Sequence, residues 1–574
     1  MRPALTALLI ALSLSAPAAA QVGPPLRLIQ PPLGSETVTP TAPGAGIGAQ
    51  PLPPGVQATP LAPVDPAWTG TLQASDGALP DSLWQDTPRA FVLAILPRLQ
   101  PGLSPTLQDL ARRLLLSNAV APAGEDPPKG PGLAMVRLER LVALGHVNAA
   151  AEVLDSLPWN GDREPLDRLR VEIDLLKNDS DAACHLVQDA IGKYQDVWWD
   201  RAQIACQALA GDAEKTSLGL SLLRERKAPR DQVFDTLVEA IANHAAAKLE
   251  HMPDPTPIRL ALLAAAKLPL PPDAVQNAEP AALRAWATNA TVPAERRLAA
   301  AERAAALGAL PLDELRLIYS GVAFKPEERK AAIQQAGDNP RARALLYATA
   351  ERETLPAMRS EALQSLLQAG LKRGEFPVTA RLVAPLLLEL EPGPDLDWLA
   401  PLAARALYVA DRPREAGRWV QIAGAPAQAR LFLVARLALG DAGPAWPKEG
   451  FKAILEGLQP KDAIVEPEKL VLAAALLDAV GAPVGPGDWA RLAALPPAAE
   501  AGLPNGALWL DARGAATGHR LGEALLDTII TAQSGGRLSS DPIVIGESVA
   551  RLRELGMDAE ARHLALEAAL AAGF

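Results

Sequence analysis

Apolar and polar positions keep step between Leu133 and Leu220. Three small-residue breaks, Gly145, Asn178 and Gly211, fall 33 residues apart. Leu133, Leu166 and Trp199 match at that step, as do Leu138, Val171 and Ile204, then Val142, Leu175 and Ala208. Beyond each break Ala150, Ala183 and Thr216 align, followed by Leu154, Val187 and Leu220. A period in the low thirties with one break per unit predicts helix–turn–helix repeats, clearest over residues 130–226.

Outside that stretch the fixed step is lost, but helical spacing continues. Arg89 to Leu96 is apolar and stops at Pro97. Ser104 is placed to cap a helix from Pro105 to Ser117, with Leu107, Leu110 and Leu114 on one stripe. Further helices are predicted from Asp231 to Lys248, Pro293 to Leu307, Pro340 to Glu351 and Pro356 to Leu371. Four more follow, from Pro377 to Leu390, Asp395 to Val409, Ala427 to Leu439 and Glu466 to Val480. Proline recurs at their starts, where its missing N–H costs nothing. One short run, Asp541 to Ile545, reads as β, and its Pro542 argues against a central strand.

The spacing of Gly145, Ala150 and Leu154 resembles the tetratricopeptide repeat, and Gly556, Ala561 and Ala565 repeat it near the C-terminus. The small residue lets two helices approach, and the larger one fills the groove beside it. Ala565 is smaller than that position wants. Between the two matches the chain lacks a fixed period and the family's aromatic positions. The resemblance implies an all-α fold, a right-handed α-solenoid of antiparallel helical hairpins. It further implies binding of a protein or peptide on a concave surface, without catalysis. Three helical regions are expected, 67–250, 251–440 and 441–574.

Composition narrows this picture. The 574 residues are 49% hydrophobic but only 4% aromatic, and Ala and Leu favour helix over strand. A net charge of −11 gives no electrostatic footprint for nucleic acid. At the N-terminus, Arg2, the apolar run Ala4 to Leu14 and Ala18-Ala19-Ala20 read as a signal peptide over 1–20, cleaved before Gln21. That run is too short to span a bilayer, so an exported, periplasmic or secreted protein without an integral membrane segment is expected. Residues 21–66 are crowded with Pro and Gly and predict a disordered tether. Its Gly44-Ala45-Gly46-Ile47-Gly48 has neither the strand nor the helix that a phosphate loop needs.

Cys184 and Cys206 carry the most specific local signal. Each lies eleven residues from Gln195, the middle of a predicted inter-helix loop. Residues equidistant from such a turn sit at one height, so a disulfide is available if both face inward. An oxidising compartment favours it; the alternative is two buried small hydrophobes. The six histidines, His146, His185, His244, His251, His519 and His563, are dispersed and read as lone surface residues. His244 and His251 could share a helix face, but two turns apart is too far for one ion. No metal or cofactor site is expected.

Nucleophile motifs fail too. Gly546-Glu547-Ser548-Val549-Ala550 lacks the last Gly of an esterase elbow, and its Ser548 is expected in a helix. Gly211 to Thr216 lacks the second Gly of a P-loop. Glu547-Ser548 resembles the start of a lytic transglycosylase motif, without its continuation. Ala515-Ala516-Thr517 never occurs in tandem, which argues against ice binding. The expected function is an exported scaffold or adaptor, set in envelope biogenesis by analogy. Two other readings stay open: an enzyme or enzyme-associated solenoid acting on cell-wall polymer, and a self-assembling structural protein. The residues expected to build the repeats are Gly145, Ala150, Leu154, Ala183, Val187, Gly211, Leu220, Gly556 and Ala561.

Overall fold

The computed structural model describes residues 65–157, 159, 162–244, 247–333, 338–447, 451–458, 467–495 and 504–574. The expected signal segment and all but the last two residues of the tether lie outside them. Within them the chain forms 28 α-helices and one two-stranded hairpin, and Val64–Phe574 is one compact unit containing all three expected regions. The first helices are α1 (Arg89–Ile95), α2 (Pro105–Leu116), α3 (Leu133–Ala143), α4 (Val147–Ser156) and α5 (Glu164–Leu176). There follow α6 (Ser180–Ala190), α7 (Val197–Leu209), α8 (Ala213–Glu225) and α9 (Gln232–Ala242). Then come α10 (Pro257–Ala265), α11 (Pro272–Asn277), α12 (Pro280–Thr288) and α13 (Ala294–Ala306). Consecutive helices pack along the chain.

The breaks set these boundaries by backbone geometry. Gly145, Asn178 and Gly211 all have left-handed φ, at 93°, 61° and 75°. After each, the next N–H reaches back five residues: His146 to the Leu141 carbonyl at 2.9 Å, Asp179 to Asp174 at 2.9 Å, Asp212 to Gln207 at 3.0 Å. This closure satisfies carbonyls that the helix end leaves open. Asp179 and Asp212 then cap the following helices by accepting from Ala182 and Lys215 N–H. The same stop recurs at Gly556, φ 77°.

The step runs one unit further than the small-residue breaks alone indicate. His244 lies 33 residues after Gly211 (244 − 211) and also has positive φ, 49°. A histidine gives no glycine-like signal, so the helix predicted from Asp231 to Lys248 ends early, at Ala242. That removes the shared helix face proposed for His244 and His251. Two other expectations change. Asp395 to Val409 is a 3-10 turn, Pro394–Leu396, followed by the helix Ala400–Val409. Pro401 suits only a first turn, since in a helix interior its ring would clash with the carbonyl four residues earlier. Asp541 to Ile545 is no strand: Asp541 caps the helix Pro542–Glu554, accepting from Ile543 and Val544 N–H. The strands are instead β1 (Gln533–Ser534) and β2 (Arg537–Leu538), joined by Gly535 and Gly536, both at positive φ. Two such residues make the turn that matches strand twist.

Most side chains singled out for packing are enclosed, whereas Gly211 and Gly556 sit exposed at their turns. Ala150, Ala183, Thr216 and Ala561 are fully enclosed, Val187 and Leu220 nearly so, and Leu154 is half-buried. Cys184 in α6 and Cys206 in α7 are bridged, with Cα atoms 5.5 Å apart. Closing that loop stabilises by about 3 kcal/mol on chain-entropy grounds.

Gly145 carries a second constraint besides its φ. A Cβ there would lie 2.3 Å from Cβ of Ala309 and 3.3 Å from Cβ of Pro280, whereas at Gly211 and Gly556 it would meet nothing within 4 Å. The segment carrying α12 and α13 therefore packs directly on the first repeat turn. Gly145→Ala is expected to cost clearly more than the ~1 kcal/mol of backbone strain that Gly556→Ala should show. Equal shifts of the two urea midpoints would refute the close approach.

The two ends of this unit meet. Helix α2 packs on the helices Leu521–Thr531 and Asp558–Ala571. Gly522 N–H donates to the Leu83 carbonyl at 2.8 Å, and Leu103 N–H to the Gly536 carbonyl at 2.8 Å. Glu567 accepts from Ser104 Oγ, from Thr106 N–H at 3.1 Å and from Thr106 Oγ at 2.8 Å. The terminal helix thus completes the cap of α2.

Candidate binding groove

Helices α3, α5 and α7 border a cavity of about 770 Å³. The 33-residue step places like positions along it. Glu139 and Glu172 are one period apart, as are Met135 and Arg168, and all four line the cavity. On α5, Glu164, Arg168 and Glu172 follow at i, i+4 and i+8, which puts them on one helix face.

Three aromatic rings belong to the lining. Trp198 meets Trp199 edge-on at 4.8 Å, and Trp199 stacks on Tyr194 at 5.0 Å. The polar edges of the rings are tied down: Trp199 Nε1 donates to Glu164 at 3.0 Å, and Tyr194 OH to Asp167 at 2.6 Å. The Asp167 bond, reinforced by desolvation and by nearby negative charge, pushes the Tyr194 hydroxyl pKa up to about 12. Arg168 lies 4.8 Å above the half-buried Trp198 ring and donates to Glu172 at 3.2 Å. Rings fixed in this way offer contact area at little entropic cost.

The same lining is acidic. Glu139, Asp162, Glu164, Glu172 and Asp196 face only Arg168 and Lys193, so carboxylates outnumber cations on the lining. Burial raises the pKa of Glu172. Arg168 opposes this, and the charges of Glu279 and Glu139 raise it further. Burial raises Glu139 as well, against Arg140. Carboxylates that repel one another in partial shelter from water favour a cation brought among them. Among the described residues no set of three His, Cys, Asp or Glu side chains could hold a metal ion.

None of the residues expected from sequence to build the repeats lines this groove. The step could have revealed Glu139 and Glu172, because matched polar positions on first helices mark a common face just as matched apolar ones mark the core. The other residues weighed for chemistry lie elsewhere. Ser548 is fully buried and donates to the Val544 carbonyl at 2.7 Å, so it is no nucleophile. His146 is not a free surface residue: burial lowers its pKa to about 4, with Arg112 adding to the shift. His563 pairs with Asp411 at 2.9 Å.

A second pair of carboxyls, Asp511 and Asp527, has the unequal environments that acid–base chemistry uses. Asp527 is fully enclosed, and neither residue borders the groove. No family model, curated protein or solved structure matches this chain.

Proposed function

We propose that the chain is an exported interaction protein whose groove on α3, α5 and α7 takes a basic segment of a protein partner. Residues 67–574 would then act as a right-handed, tetratricopeptide-like solenoid serving as scaffold or adaptor in the cell envelope. The observation that carries the reading is the groove itself, in which aromatic rings and acids share one lining and two of the acids, Glu139 and Glu172, lie one sequence period apart. Lys or Arg side chains of a partner would relieve the crowding at Glu139 and Glu172, and their stems would lie along Trp198. The Cys184–Cys206 bridge suits an oxidising compartment. Among the described residues no helix is long and apolar enough to cross a membrane.

The reading is tested with a charge-reversed variant, Glu139→Lys with Glu172→Lys, used beside the wild type in pull-downs from envelope extract at low salt. Wild type should retain one or more proteins with basic segments that the variant loses, and retention should fall as salt rises. Capture of the same proteins by both would remove the groove from the interaction. Release of soluble fragments from peptidoglycan by the purified chain would replace the scaffold reading with an enzymatic one.

A further inference from the structure

Where the two ends of the unit meet, a separate cavity of about 610 Å³ opens. Its lining includes four arginines from distant parts of the chain: Arg98 after α1, Arg140 on α3, Arg303 on α13 and Arg537 on β2. Arg140 and Arg303 are half-buried, whereas Arg98 and Arg537 are exposed. Among the described residues none of the four forms an ion pair. Arg140 donates weakly to the Pro97 carbonyl at 3.4 Å and Arg537 to the Arg373 carbonyl at 3.5 Å. The arginines nearby behave differently. Arg113 pairs with Glu560 and Arg373 with Glu375. Among the described residues Glu279 is the one carboxylate on the lining.

Four guanidiniums and one carboxylate share this lining, in a chain whose net charge is −11. In such a chain carboxylates are in surplus, so leaving these four unpaired is a local feature and no consequence of composition. Guanidinium groups present paired donors that match the oxygens of phosphate and carboxylate. The amides of Gln276 and Asn277 border the same space and suit hydroxyl or carbonyl groups. The volume falls in the range of small-molecule sites, about 300–1,000 Å³. Leu103, Leu307 and Ile530 supply an apolar part of the same lining.

We propose that this cavity binds a small, multiply charged oxyanion, a phosphate ester or a polycarboxylate, held by Arg98, Arg140, Arg303 and Arg537. The site is assembled only when α1, α3, α13 and the β-hairpin are together. An anion there ties the two ends of the chain to its middle, and binding therefore stabilises that arrangement.

The test is calorimetric titration of the full chain, in chloride buffer of low ionic strength, with inorganic pyrophosphate and separately with citrate. Saturable binding of either is expected, and which one binds distinguishes a phosphoryl from a carboxylate ligand. Two double variants, Arg140→Gln with Arg303→Gln and Arg98→Gln with Arg537→Gln, should each weaken it by about tenfold or more. The second pair is exposed, so its folding is not at risk. Arg230→Gln, a charge removed from an exposed loop outside the cavity, should leave binding unchanged. No saturable binding of either anion, or equal binding by both double variants and the wild type, would overturn the proposal.

Discussion

Glu567→Ala is expected to destabilise the chain by about 3 kcal/mol or more, and to do so by parting its two ends. Glu567 is 3% exposed and accepts three hydrogen bonds from Ser104 and Thr106. Bonds to a charged acceptor contribute about 1.5–3 kcal/mol each, and the orphaned donors would stay buried at the start of α2. Burial raises the Glu567 pKa, while Ser104, Arg381 and Thr106 hold it down. The donors are therefore what makes a carboxylate tolerable at this depth. Glu567→Gln keeps one acceptor oxygen and should lose less. The readout is hydrogen exchange: Glu567→Ala should expose α2 and the helix Asp558–Ala571 while leaving α5 to α7 protected. Unchanged protection in α2 would mean that apolar packing alone joins the ends. Because the arginine cavity needs both ends in place, pyrophosphate or citrate affinity should fall with the same variant.

That closure is also where the sequence falls silent, and the reason is separation. Ser104 and Glu567 are 463 residues apart, and a contact at that range leaves no periodic or local trace. The same holds for the buried Glu302, which accepts from Tyr319 OH at 2.6 Å and Arg343 Nε at 3.0 Å across 17 and 41 residues. Local chemistry is far more legible. Gly145, Asn178 and Gly211 announce left-handed stops because few other residues adopt them cheaply. His244 hides the fourth stop because a histidine at positive φ carries no residue-type signal for it. The Cys184–Cys206 pair is legible because one loop sets its geometry. Gly535-Gly536 carries a turn signal in plain view, but strands of two residues are too short to alternate. The groove is half legible. Glu139 and Glu172 obey the step, whereas Tyr194, Trp198 and Trp199 cluster only once the loop before α7 folds back.

Asp527→Asn is expected to stabilise the chain at neutral pH and to remove a pH dependence that the wild type carries. Asp527 is fully enclosed in the helix Leu521–Thr531, and neither of its oxygens has a hydrogen-bond donor; Oδ2 of Asp511 also lacks one. Burial, then the Asp511 hydrogen bond and the charges of Asp511 and Glu523, raise the Asp527 pKa to about 8, and Arg551 only partly opposes them. A proton on Asp527, donated to Asp511, resolves this arrangement. An unfolded aspartate ionises near pH 4. Between about pH 4 and pH 8 the folded chain therefore holds a proton that the unfolded chain has released. Stability must then fall as pH rises through that window, by up to about 1.4 kcal/mol per pH unit, and level off above it. An asparagine donates to Asp511 permanently and titrates in neither state, so this contribution to the slope disappears. Wild type and variant should match near pH 4 and diverge toward pH 8, with the variant more resistant to urea. Parallel urea midpoints across pH 4–8 would show that Asp527 is already ionised in the fold. The helices around it would then have to supply a cation at the pair that neither Arg551 nor Arg520 now provides, since Arg520 is committed to Glu523 at 2.6 Å.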